Sequence, residues 1–243
     1  MGHTQWDHCP MSNISYECPA GPLPAYLAVP SGEGPWPGVV VVQDVMGMSA
    51  DLRRITDRFA SNGYLALAPA LFRRGVRPLC VVRTLQAVAS GHGPAVDDLI
   101  AARSHLAADD RCTGKVGVVG FCMGGGFCLL LAPRGVFDAA ASNYGSLPKD
   151  VDALRRSCPV VASYGARDRT LPGVAGKLSS VLTDGGVPHD VKEYPEVGHS
   201  FMNEFPIPSV FQFVERAAGF AFSEPEAEDA WRRILAFFGE HLR

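Results

Sequence analysis

Three residues of this chain are of the types, and stand in the order, that acyl chemistry uses. Cys122 lies in Gly120-Phe121-Cys122-Met123-Gly124, directly after the apolar run Val116-Gly117-Val118-Val119. A side chain lifted out of a tight strand-to-helix turn needs small residues beside it, and this spacing supplies them. A thiol becomes an effective nucleophile when a base takes its proton and later returns it to the leaving group. His199 is the candidate base, in Gly198-His199-Ser200-Phe201. A carboxylate must then fix the imidazole tautomer and stabilise the imidazolium. Asp168 is the candidate, in Tyr164-Gly165-Ala166-Arg167-Asp168. Asp184 competes for that role but belongs to a helix-ending turn before Gly185-Gly186. His3, His8, His92, His105, His189 and His241 have no comparable setting and read as solvent-facing or structural.

The elements that must position these groups alternate between strand and helix character. Residues 13–18 and 23–29 read as two extended segments forming an antiparallel hairpin around Ala20-Gly21-Pro22. Strands are predicted over 38–43, 64–68, 115–119, 139–143, 160–164 and 189–194. Helices are predicted over 50–61, 95–108, 123–131, 174–183 and 226–242. Residues 70–94 and 200–224 show the least regular pattern, and loops of that length are often functional. Alternation of this kind predicts an α/β fold, a mostly parallel central sheet with helices on both faces, in a single domain over 1–243. Cys122, Asp168 and His199 each fall just past the C-terminal end of a strand, where such sheets gather their sites. The order nucleophile, acid, base is that of the α/β hydrolases.

Composition narrows the function classes. The net charge is −3 and the pI about 6.2, which gives no reason to expect nucleic acid or an anionic membrane surface. No apolar run reaches the length of a membrane span. Residues 1–10 are polar and lack the apolar core of a signal peptide. The seven cysteines are scattered without a CxxC pair, which argues against a disulfide framework or a zinc ribbon. A reducing, cytoplasmic setting fits. Cys9, Cys18, Cys80, Cys112, Cys128 and Cys158 read as small hydrophobic or surface residues. Gly124-Gly125-Gly126 is not followed by the Gly-Lys-Ser/Thr of a phosphate loop. No metal or organic cofactor is expected.

The chain resembles the dienelactone hydrolase family of α/β hydrolases. The resemblance is carried by Gly38-Val-Val-Val-Val-Gln43-Asp44 with Gly47 soon after, by Gly63-Tyr64-Leu-Ala-Leu-Ala-Pro69, by Gly120-Phe-Cys122-Met-Gly-Gly125, by Asp168, and by Gly198-His199-Ser200-Phe201. It implies a Cys122-Asp168-His199 triad. It also implies an acid beside the thiol at Asp44, where the defining pattern has glutamate, and this acid would hold the sulfur protonated until substrate arrives. The oxyanion hole would be the backbone N–H groups of Val45 and Met123. The family's carboxylate-binding arginine after the histidine falls on Asn203. Its other substrate arginine falls among Arg73, Arg74, Arg77 and Arg83, with Arg83 carried forward together with Asn203 as substrate-binding candidates. Ala70 replaces an acid often found in this loop. Phe201, Phe205, Phe211 and Phe213 fit an acyl pocket or core packing equally well.

The expected function is therefore hydrolysis of a small carboxylic ester or lactone through a thioacyl enzyme, by a monomer or weak homo-oligomer with no membrane or nucleic-acid partner. Thioester cleavage or acyl transfer would use the same intermediate. A weakly catalytic member that binds a small ligand or a protein partner is the reading from another class, and the departures at Asp44 and Asn203 are what favour it.

Overall fold

The structure is a computed structural model that describes residues 11–204 and 221–243. The predicted roles of Cys9, His3, His8, Phe205, Phe211 and Phe213 lie outside the described residues. Among the described residues eight strands form one sheet: β1 (Met11–Tyr16), β2 (Leu23–Ala28), β3 (Trp36–Val42), β4 (Leu65–Pro69), β5 (Cys112–Phe121), β6 (Ala139–Asn143), β7 (Val160–Gly165) and β8 (His189–Tyr194). Their spatial order is β1-β2-β4-β3-β5-β6-β7-β8. β1 pairs antiparallel with β2, and β2 with β4. Every pairing from β4 through β3 and β5 to β8 is parallel.

The near-continuous apolar run Val39-Val40-Val41-Val42 makes β3 a central strand, because a parallel sheet is covered on both faces. Successive side chains alternate between those faces. Val40 and Val42 enter one core with Leu99, Leu106, Phe127 and Leu178, while Val39 and Val41 enter the other with Ile55, Phe59, Trp231 and Phe238. Helices α1 (Ala50–Ser61) and α6 (Glu224–Leu242) cover the second face. Helices α2 (Arg77–Ser90), α3 (Pro94–Ala107), α4 (Met123–Leu131) and α5 (Val174–Asp184) cover the first. The apolar spacing that predicts α1 is the spacing that buries it, with Leu52, Ile55 and Phe59 inward. Ser49 caps it by accepting the Leu52 N–H at 3.1 Å. Among the described residues no helix is long and apolar enough to cross a membrane.

One stretch departs from the sequence expectation. Residues 70–94 contain helix α2, which the sequence pattern hides. Only Cys80, Thr84 and Ala87 of α2 are buried, while Leu79, Val82 and Leu85 face outward. Apolar residues on both sides of a helix blur its period, and the N-cap of α2, Val76, supplies no side-chain hydrogen bond. The loop before it is held by Arg74, whose guanidinium donates to both Asp98 oxygens at 2.6 and 2.8 Å and to the carbonyls of Ala20 and Gly21. An anchor is thus present although Ala70 supplies none.

Candidate active site

The turn after β5 places Cys122 in a conformation that few side chains adopt, with φ 53° and ψ −114°. Such backbone strain costs roughly 1–3 kcal/mol and persists only where surrounding structure enforces it. Here the enforcement is close backbone contact. A Cβ on Gly120 would stand 2.1 Å from the Gly124 carbonyl oxygen, and one on Gly124 would stand 2.4 Å from the Val42 oxygen. The Cys122 N–H donates to the Asn143 carbonyl at 3.0 Å, which pins the turn to the end of β6. Helix α4 begins at Met123, so its positive end points at the sulfur. Gly124→Ala is expected to destabilise the fold by about 3 kcal/mol or more, because backbone rather than a movable side chain blocks the added methyl. A urea denaturation midpoint within error of wild type would contradict this.

Asp168 and His199 are brought together by the stitching of two strand ends. Beyond β7 and β8, the Ala166 N–H donates to the Tyr194 carbonyl and the Arg167 N–H to the Val197 carbonyl, at 2.8 and 3.0 Å. His199 Nδ1 then meets Asp168 Oδ2 at 2.6 Å. The other Asp168 oxygen is occupied by Thr170, whose N–H and hydroxyl donate to Oδ1 at 2.8 and 2.6 Å. Burial favours the neutral form of Asp168, but the bonds from His199 and Thr170 outweigh it and hold the carboxyl below its ordinary range. For His199, burial disfavours the charged ring. Hydrogen bonds to Asp168 and to the Cys122 side chain outweigh that and raise the ring to about 9. The arrangement thus stabilises the imidazolium that forms when the ring takes a thiol proton.

The remaining sequence candidates fall in three places. Asp44 and Val45 follow β3, whose Val42 and Gln43 carbonyls lie against Gly124, so their loop borders the Cys122 turn. Asp44 is buried, and its Oδ1 accepts the Met46 N–H at 2.7 Å. Burial raises the Asp44 carboxyl, the Met46 bond opposes this, and the Asp51 charge adds to it. Val45 is exposed and Met123 is buried. Arg83 is exposed on α2 and lines a small cavity with Leu71, Arg74, Cys80 and Asp98, a set that contains none of Cys122, Asp168 and His199.

Asn203 is buried, and both ends of its amide are engaged. Its oxygen accepts the Tyr144 hydroxyl, and its Nδ2 donates to Asp51 Oδ2 at 2.7 Å. Phe201 is core, edge-on to Tyr144 with ring centroids 5.6 Å apart. Tyr144 itself escaped the sequence reading. It sits just past β6 with φ 41°, and its ring centroid is 5.2 Å from that of His199. Burial pushes its hydroxyl well above the ordinary range, and the charges of Asp51, Asp44 and Cys122 add to the effect. Its place one residue beyond a predicted strand was the available signal. Thr170 was missed too, although Asp-x-Thr is a turn signature.

Comparison with known proteins shows the family. A sequence model of the dienelactone hydrolase family matches residues 23–242.

The chain belongs to the dienelactone hydrolase family.

It is therefore a carboxylic ester or lactone hydrolase of the α/β-hydrolase superfamily. A provisionally named carboxymethylenebutenolidase of Yersinia pestis is 30% identical, over 96% of this chain and 89% of that protein. One from Methylorubrum extorquens is 28% identical, over 91% of this chain and 78% of its own. Among solved structures, a provisionally assigned dienelactone hydrolase of Klebsiella pneumoniae superposes with TM-score 0.77 at 27% identity, covering 96% of this chain and all (100%) of that one. An esterase of Pyrobaculum calidifontis shares the fold at TM-score 0.67 and 16% identity, covering 98% and 88%.

Proposed function

We propose that this dienelactone hydrolase family member cleaves a small ester or lactone through a covalent thioacyl intermediate on Cys122. The observation that carries the reading is the linked set: a thiol on a strained turn at a helix N-terminus, whose side chain helps raise the His199 ring, which is bonded in turn to Asp168 at 2.6 Å. His199 takes the thiol proton as sulfur adds to the carbonyl carbon. The Val45 and Met123 N–H groups receive the oxyanion, a contribution of roughly 10²–10³ in rate per donor. The carbon–oxygen bond then breaks, and the departing oxygen takes the proton from imidazolium. Water, deprotonated by the same ring, attacks the thioester and releases the acid and the thiol. Asp168 stays ionised throughout and orients the ring. No step of this cycle calls for a metal or organic cofactor. A small-molecule substrate in the cytoplasm, without membrane or nucleic-acid partners, fits the charge and composition. Rapid quench of p-nitrophenyl acetate turnover followed by peptide mass spectrometry tests the reading directly. An acetyl group on the peptide containing Cys122 is the expected result. Turnover with no adduct at Cys122 would overturn it.

Asp44 is the proposed brake on the thiol. It shares the Tyr144 hydroxyl's surroundings with Cys122, and a carboxylate there raises the cost of a thiolate. The sign follows: removing the charge lowers the pH at which the thiolate forms. Asp44→Asn is expected to shift the pH midpoint of iodoacetamide alkylation downward and to speed alkylation at pH 7 several-fold. An identical profile in wild type and variant would remove Asp44 from the mechanism.

A further inference from the structure

Gln43 is the last residue before Asp44, and its side chain has an unusual position. It is 0% exposed, yet neither Oε1 nor Nε2 has a hydrogen-bond partner. Among the described residues it is the one side chain with two buried polar atoms unmet, an amide donor and an amide acceptor. Most buried side-chain polar atoms are partnered, because an unpartnered amide loses its hydration for nothing in return. The same side chain lines a cavity of about 440 Å³, with Met46, Gly47, Met48, Ala70, Phe72 and the exposed Arg73 and Arg77 around it. That volume is in the range of small-molecule sites. The cavity lining contains none of Cys122, Asp168 and His199, but the Gln43 carbonyl lies against Gly124, so this one residue borders both the cavity and the Cys122 turn.

We infer that this cavity is an acyl-side specificity pocket in which the Gln43 amide recognises a hydroxyl group carried next to the substrate's ester or lactone carbonyl. The inference rests on the hydrolase reading above, and it names the substrate class. An amide presents an acceptor and a donor side by side. A hydroxyl answers both, donating to Oε1 and accepting from Nε2. A carboxylate answers only Nε2 and places its charge against Oε1. An alkyl group answers neither. The position also fits, since Gln43 stands two residues before Val45, whose N–H is assigned to the carbonyl oxygen. Arg73 and Arg77 stay at the rim, where Arg77 already donates to the Met46 carbonyl at 2.8 Å. Met46 is half exposed, and its unbranched, flexible side chain is the lining group best able to yield as a ligand reaches the amide.

The test compares α-hydroxy-γ-butyrolactone with γ-butyrolactone as competitors of p-nitrophenyl acetate hydrolysis. Competition reads affinity whether or not either lactone is turned over. Wild type is expected to bind the hydroxylated lactone about tenfold more tightly, the scale of one or two hydrogen bonds made in a site closed to water. In Gln43→Met, which keeps the volume and removes the amide, that ratio is expected to fall to about one. Gln43→Leu, which also lacks any hydrogen-bonding group, carries the same comparison if the methionine variant does not fold. Equal inhibition by the two lactones in wild type overturns the inference, as does a preference retained in a folded variant or no competition by either. The hydrolase reading fails separately, by the absence of p-nitrophenyl acetate turnover in wild type.

Discussion

Cys122→Ala is expected to eliminate the p-nitrophenolate burst and to lower kcat/KM for p-nitrophenyl acetate by roughly 10⁴–10⁶-fold, the scale seen when a covalent nucleophile is removed. The size follows from the role: with no sulfur there is no thioester, and the two-step path closes. What remains is direct attack by water assisted by His199 and the oxyanion donors, worth about 10³–10⁴ over solution. Alanine retains a Cβ, so the turn keeps the same backbone demand at φ 53°. A matching thermal melt would separate lost chemistry from lost structure. A variant that keeps a tenth of wild-type activity would transfer the nucleophile's role to another group, and with it the account of Asp44 and His199.

The second large effect is expected of Asp168→Asn, at roughly 10⁴ in kcat with little change in KM. The reason lies in Thr170. Its N–H and hydroxyl both donate to Asp168 Oδ1, so an asparagine must keep its carbonyl oxygen there. The amide NH₂ is then turned toward His199 Nδ1, at the place where Oδ2 now stands 2.6 Å away. Two donors cannot face each other, so the ring gives up its Nδ1 proton and carries the proton on Nε2 instead. In that tautomer it cannot accept the thiol proton. Loss of the carboxylate also removes a main support of the raised imidazole, whose protonation midpoint is expected to fall below about 9. Histidine proton NMR of the variant checks this. A midpoint unmoved by the substitution, with activity within tenfold of wild type, would mean that Asp168 does not orient the ring. Adding Thr170→Val to Asp168→Asn removes one of the two donors that hold the amide, the backbone N–H remaining, and a partial recovery of rate is the expected signature of tautomer control.

The departures at Asp44 and Asn203, which kept a non-catalytic reading open, look different in three dimensions. Asn203 does not leave a gap. It joins the Tyr144 hydroxyl to Asp51, and so ties the segment just after His199 to the first turn of α1. Asp44 is fixed within its own loop by the Met46 N–H. Both substitutions are thus built into intact local structure around the Cys122–His199–Asp168 set.

The sequence alone determined the parts of this molecule that depend on neighbours in the chain. Gly120 before Cys122 announces a turn too tight for a Cβ, because its clash is with Gly124 only four residues on, whereas the clash at Gly124 is with Val42 of a distant strand. An apolar run before Asp168 and an extended segment before His199 mark strand ends, and alternation of strand with helix implies the parallel sheet that lines those ends up. Other features needed the tertiary structure, because their partners are far apart in the chain. Tyr144 and Asn203 are 59 residues apart, and Asn203 and Asp51 are 152 apart, so no local pattern links them. Helix α2 was hidden because it buries only Cys80, Thr84 and Ala87, against α3 and α4, while other apolar residues on it face outward and blur its stripe. Gln43 read only as the polar end of an apolar strand. That its amide is buried without partners, facing a cavity built from two separate loops, depends on how β3, β4 and the segment before α2 pack. Local sterics and hydrophobic period are written in the sequence, but the pairing of distant polar groups is decided only when the sheet closes around them.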